Sequence, residues 1–387
     1  MKKRSIIFIL FFLSSCVSHD PEIFEFDPRF LKGSSVTLTS ICDSVYYLPL
    51  DNVISLGLIY DNIIYSGGSF YISSKDIGIL KYDSKGRFTE KIGNIGRGPG
   101  EYTYYHDFAV DRYSNTVYVQ DRSDVIKVYS GSGNYIRNMP PEHTGGFIEK
   151  ITFCFSNLFA FNYLQIGETG HNWIIYDTLG NIKGRKGRTI PFFYSGFGGG
   201  CGTYEFDNKL YYWNIYNDSV FTIAPDLSFK ASFILKSGEY RLPYSKFEPS
   251  AIKEYLHIWQ IFETQRYYTF LYTYKKPFFV LVDKHTGETH QLILEPEKSI
   301  PGEDLKGGIV NDFDNGMPFL PKVYYEEDGR EFMLGLVYPF QIRALVSSDK
   351  FQETTPKYPE KQKELKNMAD SLKETDNPVL MIVRLKE

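Results

Sequence analysis

The sequence predicts an all-β fold, a six-bladed β-propeller of four-stranded antiparallel blades whose last blade is closed by strands from both termini. Three observations carry that prediction. The first is a repeat of 47 residues: Tyr82, Tyr129, Tyr176 and Ile223 share one slot, Gly86, Gly133, Gly180 and Leu227 a second, and Phe88, Tyr135, Ile182 and Phe229 a third. Self-similarity at a fixed period of roughly 20–50 residues marks a repeat architecture. The second is the period-two alternation inside the clearest unit, where Phe108 and Val110 alternate with Ala109 and Asp111, and Val117 and Val119 flank Tyr118. That alternation belongs to strands, and the 3.6-residue period of a helical solenoid is missing from the repeat. The third is the linker chemistry: Arg112-Tyr-Ser-Asn115 and Ser130-Gly-Ser-Gly133 are built from residues that accept tight-turn dihedrals. About 47 residues in four strands is the size of one propeller blade.

The elements follow in order. Residues 1–15 read as a signal peptide and 16–44 as a polar lead, with the propeller over 45–387. Val45–Leu50 reads as a strand with no hairpin partner of its own. Blade 1 is expected at Ile59–Tyr65, Ser69–Ser73, Ile79–Asp83 and Arg87–Ile92, and blade 2 at His106–Asp111, Thr116–Gln120, Val125–Ser130 and Asn134–Met139. Blade 3 spans Phe147–Arg185 and blade 4 Gly202–Leu235. Then the interval breaks, because Gly287 follows Leu227 by 60 residues, an excess of 13. The excess falls in Ser245–Thr264, where Ile252, Tyr255, Leu256 and Trp259 keep helical spacing and Ser250 is placed to cap. A helical insertion near 245–257 is therefore expected, with His257–Glu263 open between helix and the first strand of blade 5. Tyr267–Tyr274 and Phe278–Asp283 continue that blade. Lys322–Glu326, Glu331–Leu336 and Val379–Leu385 make three quarters of a sixth blade around a helical insertion at 357–375. Val45–Leu50 supplies the missing strand, and such closure removes an exposed sheet edge. A seventh blade is the alternative if residues 236–275 hold one.

Composition narrows the class. The 387 residues are 42% hydrophobic and 23% charged, ample for a globular core, and the 17% of aromatics suits sheets stacked face to face. Net charge is −4; without residues 1–15, which hold Lys2, Lys3 and Arg4 and no acid, 40 bases against 47 acids leave −7. A mildly acidic chain without a basic run is not a nucleic-acid binder. Met-Lys-Lys-Arg followed by Ser5–Leu13 is a basic n-region and a short apolar run, a secretory signal too short to span a bilayer. Cys42, Cys154 and Cys201 remain after Cys16. An odd number without CxxC or Cys/His spacing supports neither a disulfide framework nor a zinc site, so buried free thiols are expected. No cofactor is expected.

Leu13-Ser-Ser-Cys16 resembles the lipobox of bacterial lipoproteins, which implies lipidation of Cys16 as the first mature residue. Gly93-Asn-Ile-Gly-Arg-Gly-Pro-Gly-Glu-Tyr102, with Phe108-Ala-Val-Asp111 and Val117-Tyr-Val-Gln-Asp121, resembles the NHL-type repeat. The whole chain is similar to the six-bladed β-propeller lipoproteins of Bacteroidetes, some of which sit near glycan-utilisation loci. The resemblance extends to Tyr46-Tyr-Leu-Pro-Leu50 and Asn377-Pro378-Val-Leu380. It implies an outer-membrane lipoprotein on the periplasmic or cell-surface face, held to the membrane through Cys16, with a glycan or an envelope protein as partner. It implies no catalytic motif. The pattern departs after blade 2, where a crossing near Lys183–Thr189 keeps Gly184 and Gly187 but lacks Pro-Gly-Glu-Tyr.

Candidate site residues come from loops. Gly96–Gly100 has the look of a phosphate loop, but a strand follows it where a phosphate cradle needs a helix N-terminus. Its glycines instead supply dihedrals for passing between blades. Arg97 and Glu101 either pair with each other or face the central mouth. Tyr102, Tyr105 and His106 form one aromatic cluster, and Phe193, Tyr194 and Phe197, ahead of three glycines, form another. Aromatic faces beside polar groups stack on sugar C–H surfaces, while the competing reading packs the rings between blades. His285 and His290 lie across one hairpin, but no metal site is expected there. Neither a Gly-x-Ser-x-Gly elbow nor a His-Glu-x-x-His motif is present. The expectation is a lipid-anchored binding module rather than an enzyme; a hydrolase or lyase with residues converging on the channel, and a plain structural scaffold, are the alternatives.

Overall fold

Every repeat unit closes into its own antiparallel meander. A computed structural model describes residues 22–24, 33–57, 59–103, 105–121, 125–139, 148–162, 170–187, 200–243, 249–296 and 305–387. Blade 1 comprises Ile59–Ser66, Ser69–Ser74, Gly78–Asp83 and Phe88–Ile92. Blade 2 comprises Tyr105–Val110, Val117–Asp121, Ile126–Tyr129 and Tyr135–Met139. Blade 3 runs from Ile148–Cys154 through Asn157–Asn162 and His171–Asp177 to Ile182–Gly187. Blade 4 runs from Cys201–Phe206 through Lys209–Asn214 and Ser219–Ile223 to Phe229–Leu235. Blade 5 is His257–Glu263, Tyr267–Tyr274, Lys276–Asp283 and Thr289–Ile293. The first strands of blades 6, 1, 2, 3, 4 and 5 touch in that succession, which makes them the inner ring.

Blade 6 is composite. Val323–Glu327 is its inner strand, Arg330–Val337 its second and Val379–Leu385 its third. Its outer strand is Cys42–Pro49, antiparallel to the last strand from Cys42 opposite Leu385 to Pro49 opposite Val379. The partnerless strand of the sequence thus finds its partner at the other end of the chain, and the ring has six blades.

Seven apolar clusters make up the described core: six lie one at each junction between blades, and a small seventh gathers Ile215, Tyr216 and Leu242. Strand faces explain the division. In blade 1, Tyr71, Ile79 and Ile92 pack on Phe108, Val117 and Tyr129 of blade 2. The opposite face, with Phe70, Ile72, Leu80 and Tyr82, packs on Leu334, Leu380 and Ile382 of blade 6. Both faces of a blade are therefore buried, and a fully buried large apolar side chain contributes about 1.5–3 kcal/mol. Rings fill the wedges: Phe161 of blade 3 stacks on Tyr212 of blade 4 at 4.8 Å, and Tyr118 of blade 2 on Phe153 of blade 3 at 5.2 Å. Such pairs add about 0.5–1.5 kcal/mol beyond their burial.

The 47-residue glycine slot now has a cause. Gly86, Gly133 and Gly180 sit in the outer hairpin turns with φ of 76°, 79° and 98°, and Leu227 holds φ 65° in the fourth. Each turn is pressed against the outer strand of the preceding blade. A Cβ on Gly86 would stand 2.3 Å from Pro49 O, and one on Gly133 2.0 Å from Lys91 O. The slot thus needs left-handed dihedrals in all four copies, and at Gly86 and Gly133 also the room that glycine leaves beside the neighbouring backbone.

Three expectations change and one open reading closes. The helical insertion near 245–257 is in its described part a short 3₁₀ turn, Pro249–Glu254, so Ser250 lies within it instead of capping it. His257–Glu263 is a strand: Leu256 and Trp259, spaced as helix neighbours, are respectively buried and half exposed because β-pairing to Tyr267–Tyr274 wins. Ile182–Gly187 is the outer strand of blade 3, so Gly184 and Gly187 belong to a strand and not to a crossing. The insertion in blade 6 is larger than expected: α2 (Pro339–Val346), α3 (Asp349–Glu353) and α4 (Pro359–Ser371) follow the lead helix α1 (Leu38–Ile41). On α4, Leu365 and Ala369 are the buried face. The described lead lies along the outside of the ring. Glu22–Phe24 pairs in parallel with Phe233–Leu235 of blade 4, and the Ser34 N–H donates to Gln291 O of blade 5 at 3.2 Å.

Candidate functional site

Inner strands end in two sets of loops, and the end at which the chain enters from the preceding blade carries a repeated irregularity. In blade 2 the pairing slips between Tyr105 and Asp107, leaving His106 as an extra residue. In blade 3 it slips between Ile148 and Lys150, leaving Glu149; in blade 5 between Ile258 and Gln260, leaving Trp259. Blade 1 slips between Ile59 and Ile63. A bulge bends a strand and re-aims a side chain, and bulges gather beside functional sites. All three single-residue bulges lie four or five residues before the hairpin that ends the inner strand, so they are level around the ring. His106 is exposed and Glu149 partly so; Trp259 is 50% exposed. At the same level in blade 4, Gly202 leaves room for Trp213, whose Cζ2 would be 2.0 Å from an added Cβ.

Polar contacts between blades support this mouth. Asp107, buried at 4%, accepts Asn62 Nδ2 of blade 1 at 2.6 Å and the Ile151 N–H of blade 3 at 2.8 Å. Lys150 Nζ lies 4.0 Å from the same carboxylate. Glu149 accepts the Gly200 and Cys201 amides at the start of blade 4. Burial pushes the Glu149 carboxyl upward, partly offset by those two amides, and burial with the Glu149 charge pushes the Cys201 thiol upward. His257 lies 4.6 Å from the Trp259 ring, whose Nε1 donates to Thr273 Oγ1 at 2.8 Å. Trp213 Nε1 is buried with no acceptor among the described residues. The mouth therefore offers an indole face, an imidazole and a carboxylate on a ring of fixed strands.

The structure separates the residues that the sequence groups together. His106 is at the mouth. Tyr102 is fully buried, its hydroxyl donating to Ile92 O at 3.0 Å and accepting the Ile79 N–H at 3.2 Å. Tyr105 meets it edge to face at 6.0 Å. Neither ring keeps a face for a ligand. Arg97 is exposed, and Glu101 turns back to accept the Gly98 N–H at 2.8 Å instead of pairing with it. Their loop backs onto blade 2 away from the inner ring: Tyr129 donates to Gly100 O at 2.9 Å, and a Cβ on Gly100 would stand 2.7 Å from Tyr135 Cγ on the outer strand. Phe193, Tyr194, Phe197 and Cys16 lie outside the described residues. Sequence reading missed Asn62, Asp107, Glu149, Lys150 and Trp259. The signal was an interrupted alternation, seen in Tyr105-His-Asp-Phe108, Ile148-Glu-Lys-Ile151 and Ile258-Trp-Gln-Ile261.

A second concavity of about 420 Å³ lies between blades 5 and 6, lined by Met317, Phe319, Leu336 and Met381 and by Lys306 and Lys322. Its size suits a small ligand, but Lys306 is drawn to Glu295 at 3.7 Å. No group of three or more His, Cys, Asp or Glu able to hold a metal occurs among the described residues.

The profile of a domain of unknown function, DUF4934, matches residues 21–384. No curated protein matches. Among solved structures, a Bacteroides fragilis NCTC 9343 protein inferred to be exported is similar, with TM-score 0.65 and 15% identity over 92% of this chain and 98% of its own. A member of the DUF4221 family from Bacteroides vulgatus ATCC 8482 aligns with TM-score 0.47 and 14% identity over 92% and 99% of the two chains.

Proposed function

We propose that this chain, which belongs to the DUF4934 family, is an exported, lipid-anchored propeller that binds a ligand at the bulged mouth of its inner ring. A glycan is the chemistry that suits the mouth best. The observation that carries the reading is the set of level bulges presenting His106, Glu149 and Trp259. An indole face stacks on sugar C–H surface, while an imidazole and a carboxylate exchange hydrogen bonds with hydroxyls. The rigid inner ring keeps these groups in place at little ordering cost on binding. Export is supported by the leader over residues 1–15 and anchoring by the lipobox ending at Cys16. The similarity to a Bacteroides protein inferred to be exported agrees with this, and the Gly93–Tyr102 crossing supports kinship with NHL-type repeats. An outer-membrane address on the periplasmic or cell-surface face follows from that resemblance.

A hydrolase or lyase would need several acidic or amide groups free to converge on one reacting atom. Asn62 and Asp107 instead bond to each other, which leaves Glu149 the one carboxylate among the three bulge residues, so binding is favoured. A glycan array and a pull-down from envelope extract with the leaderless chain from Val17 test the reading. Retention that is lost in Trp259→Ala and His106→Ala, and kept in Tyr113→Ala on an inner-hairpin turn at the opposite end, is the expected result. Retention of neither sugar nor protein would overturn it.

A further inference from the structure

The outer edge of blades 2 to 4 is basic in a chain of net charge −4, and it carries exposed apolar side chains. The outer hairpins of blade 3 (176–187) and blade 4 (223–236) hold Lys183, Arg185, Lys186, Lys230 and Lys236 against Asp177 and Asp226. Taken singly, the hairpin of blade 3 carries +2 (three bases, one acid) and that of blade 4 +1 (two bases, one acid), and Arg137 gives that of blade 2 (129–139) +1. The corresponding hairpin of blade 1 (82–93) has Lys85, Arg87 and Lys91 against Asp83 and Glu90, or +1. That of blade 5 (283–293) has Lys284 against Asp283 and Glu288, or −1. The basic edge is also greasy: Leu179 is 73% exposed, Ile136 52% and Phe229 42%. Contacts make it continuous. Arg137 of blade 2 donates to Thr178 O of blade 3, and Lys186 of blade 3 stands 4.0 Å over the Phe229 ring of blade 4. Cations flanking exposed apolar side chains compose a surface that settles into the headgroup boundary of a bilayer.

The N-terminal strand is a second, independent observation. Glu22–Phe24 lies on the outer edge of blade 4. Only five residues separate it from Cys16, a reach of at most about 20 Å. This part rests on the lipid-anchor reading above, and under it the bilayer meets the ring on the side of blade 4.

We propose that the outer edge of blades 2 to 4 docks on an anionic phospholipid surface, so that the ring stands on its rim and the bulged mouth opens along the membrane. Lysines on outer strands also guard an edge against pairing with other chains, and that role alone would give no lipid affinity. Co-sedimentation of the leaderless chain from Val17 with vesicles of phosphatidylcholine alone or with added phosphatidylglycerol separates the two. We expect binding only to the phosphatidylglycerol vesicles, weakening as salt is raised. The triple variant K183E/R185E/K186E should bind at least roughly tenfold more weakly, since each basic residue near an anionic leaflet matters by about 1 kcal/mol. K363E/K366E/K373E, an equal charge change on and just after α4, should leave binding intact, and both variants should melt with the parent. Absence of binding to phosphatidylglycerol vesicles, or equal loss in both triples, overturns the proposal. Because this protein carries no lipid, the result is independent of anchoring, which Cys16→Ala in the full chain tests by membrane fractionation.

Discussion

Asn377 Oδ1 accepts the backbone N–H of Leu56 at 2.8 Å, across 321 residues of sequence. Its Nδ2 donates to Asp51 O at 2.6 Å and to Ile54 O at 2.7 Å, and its own N–H donates to Asn52 Oδ1 at 2.7 Å. One buried amide thus holds the blade 6 to blade 1 crossing against the start of the final strand. Asn377→Ala should lower the free energy of unfolding by about 2–4 kcal/mol, because it strands one buried backbone N–H and two part-buried carbonyls. Urea unfolding checks this; a loss below about 0.5 kcal/mol, the range of ordinary surface changes, would show that the latch is dispensable.

Asp107 plays the same part inside the ring. Asp107→Ala leaves the Ile151 N–H and Asn62 Nδ2 without their acceptor, at an expected cost of about 2–3 kcal/mol. Asp107→Asn keeps one carbonyl oxygen and should fall between the two. The ordering parent, Asn, Ala in chemical denaturation is the test.

Two glycines with nearly the same φ should respond differently. Gly133 (φ 79°) has Lys91 O within 2.0 Å of an added Cβ, whereas Gly287 (φ 72°) has nothing within 4 Å. Gly287→Ala should cost about 1 kcal/mol, the price of left-handed backbone alone. Gly133→Ala should cost clearly more, because the blade 2 turn must also move off the outer strand of blade 1. Equal melting temperatures for the two variants would refute the wedge.

Burial lowers the His257 pKa from 6.5 to about 4. Its folded value is depressed, so the unfolded chain takes up the proton first. The stability concerned is present above about pH 6.5 and is lost as pH falls toward 4. The carboxyls of Glu149, Glu205 and Glu263 are shifted upward, chiefly by desolvation, and act in the opposite sense, losing stability as pH rises through their folded values. The difference between parent and His257→Gln isolates the histidine. From pH 7 to pH 5 the parent should lose more stability than the variant, by up to about 1.4 kcal/mol per pH unit.

Three thiols should be inert in the folded chain. Cys42 is buried with its pKa pushed up to about 12, and burial pushes Cys154 and Cys201 upward as well. With thiolate so scarce, alkylation at neutral pH should be slow for all three and become rapid on unfolding in urea. Fast labelling of native Cys201, the most open of them, would contradict the shift.

What could be read from the chain was what repeats locally. Asp83, Ser130 and Asp177 occupy one further slot of the 47-residue period, each side chain accepting the N–H four residues on, at 3.0, 3.1 and 2.9 Å. Such turns form within a hairpin, so their residues announce them. The bulges announced themselves only as faults in an alternation. Likewise, Tyr102 and Tyr105 carry the composition of a binding loop yet lie inside, because the crossing folds back over blade 2.

The chain by itself determined the blade: alternation, turn residues and a glycine every 47 positions act over a few residues and need no distant partner to be recognised. Only the tertiary structure decided the mouth. His106 and Trp259 are 153 residues apart, and they share a level because six wedges close on one another and Asn377 fastens the last to the first. Closure is a property of packing between sheets, and no stretch of sequence states it.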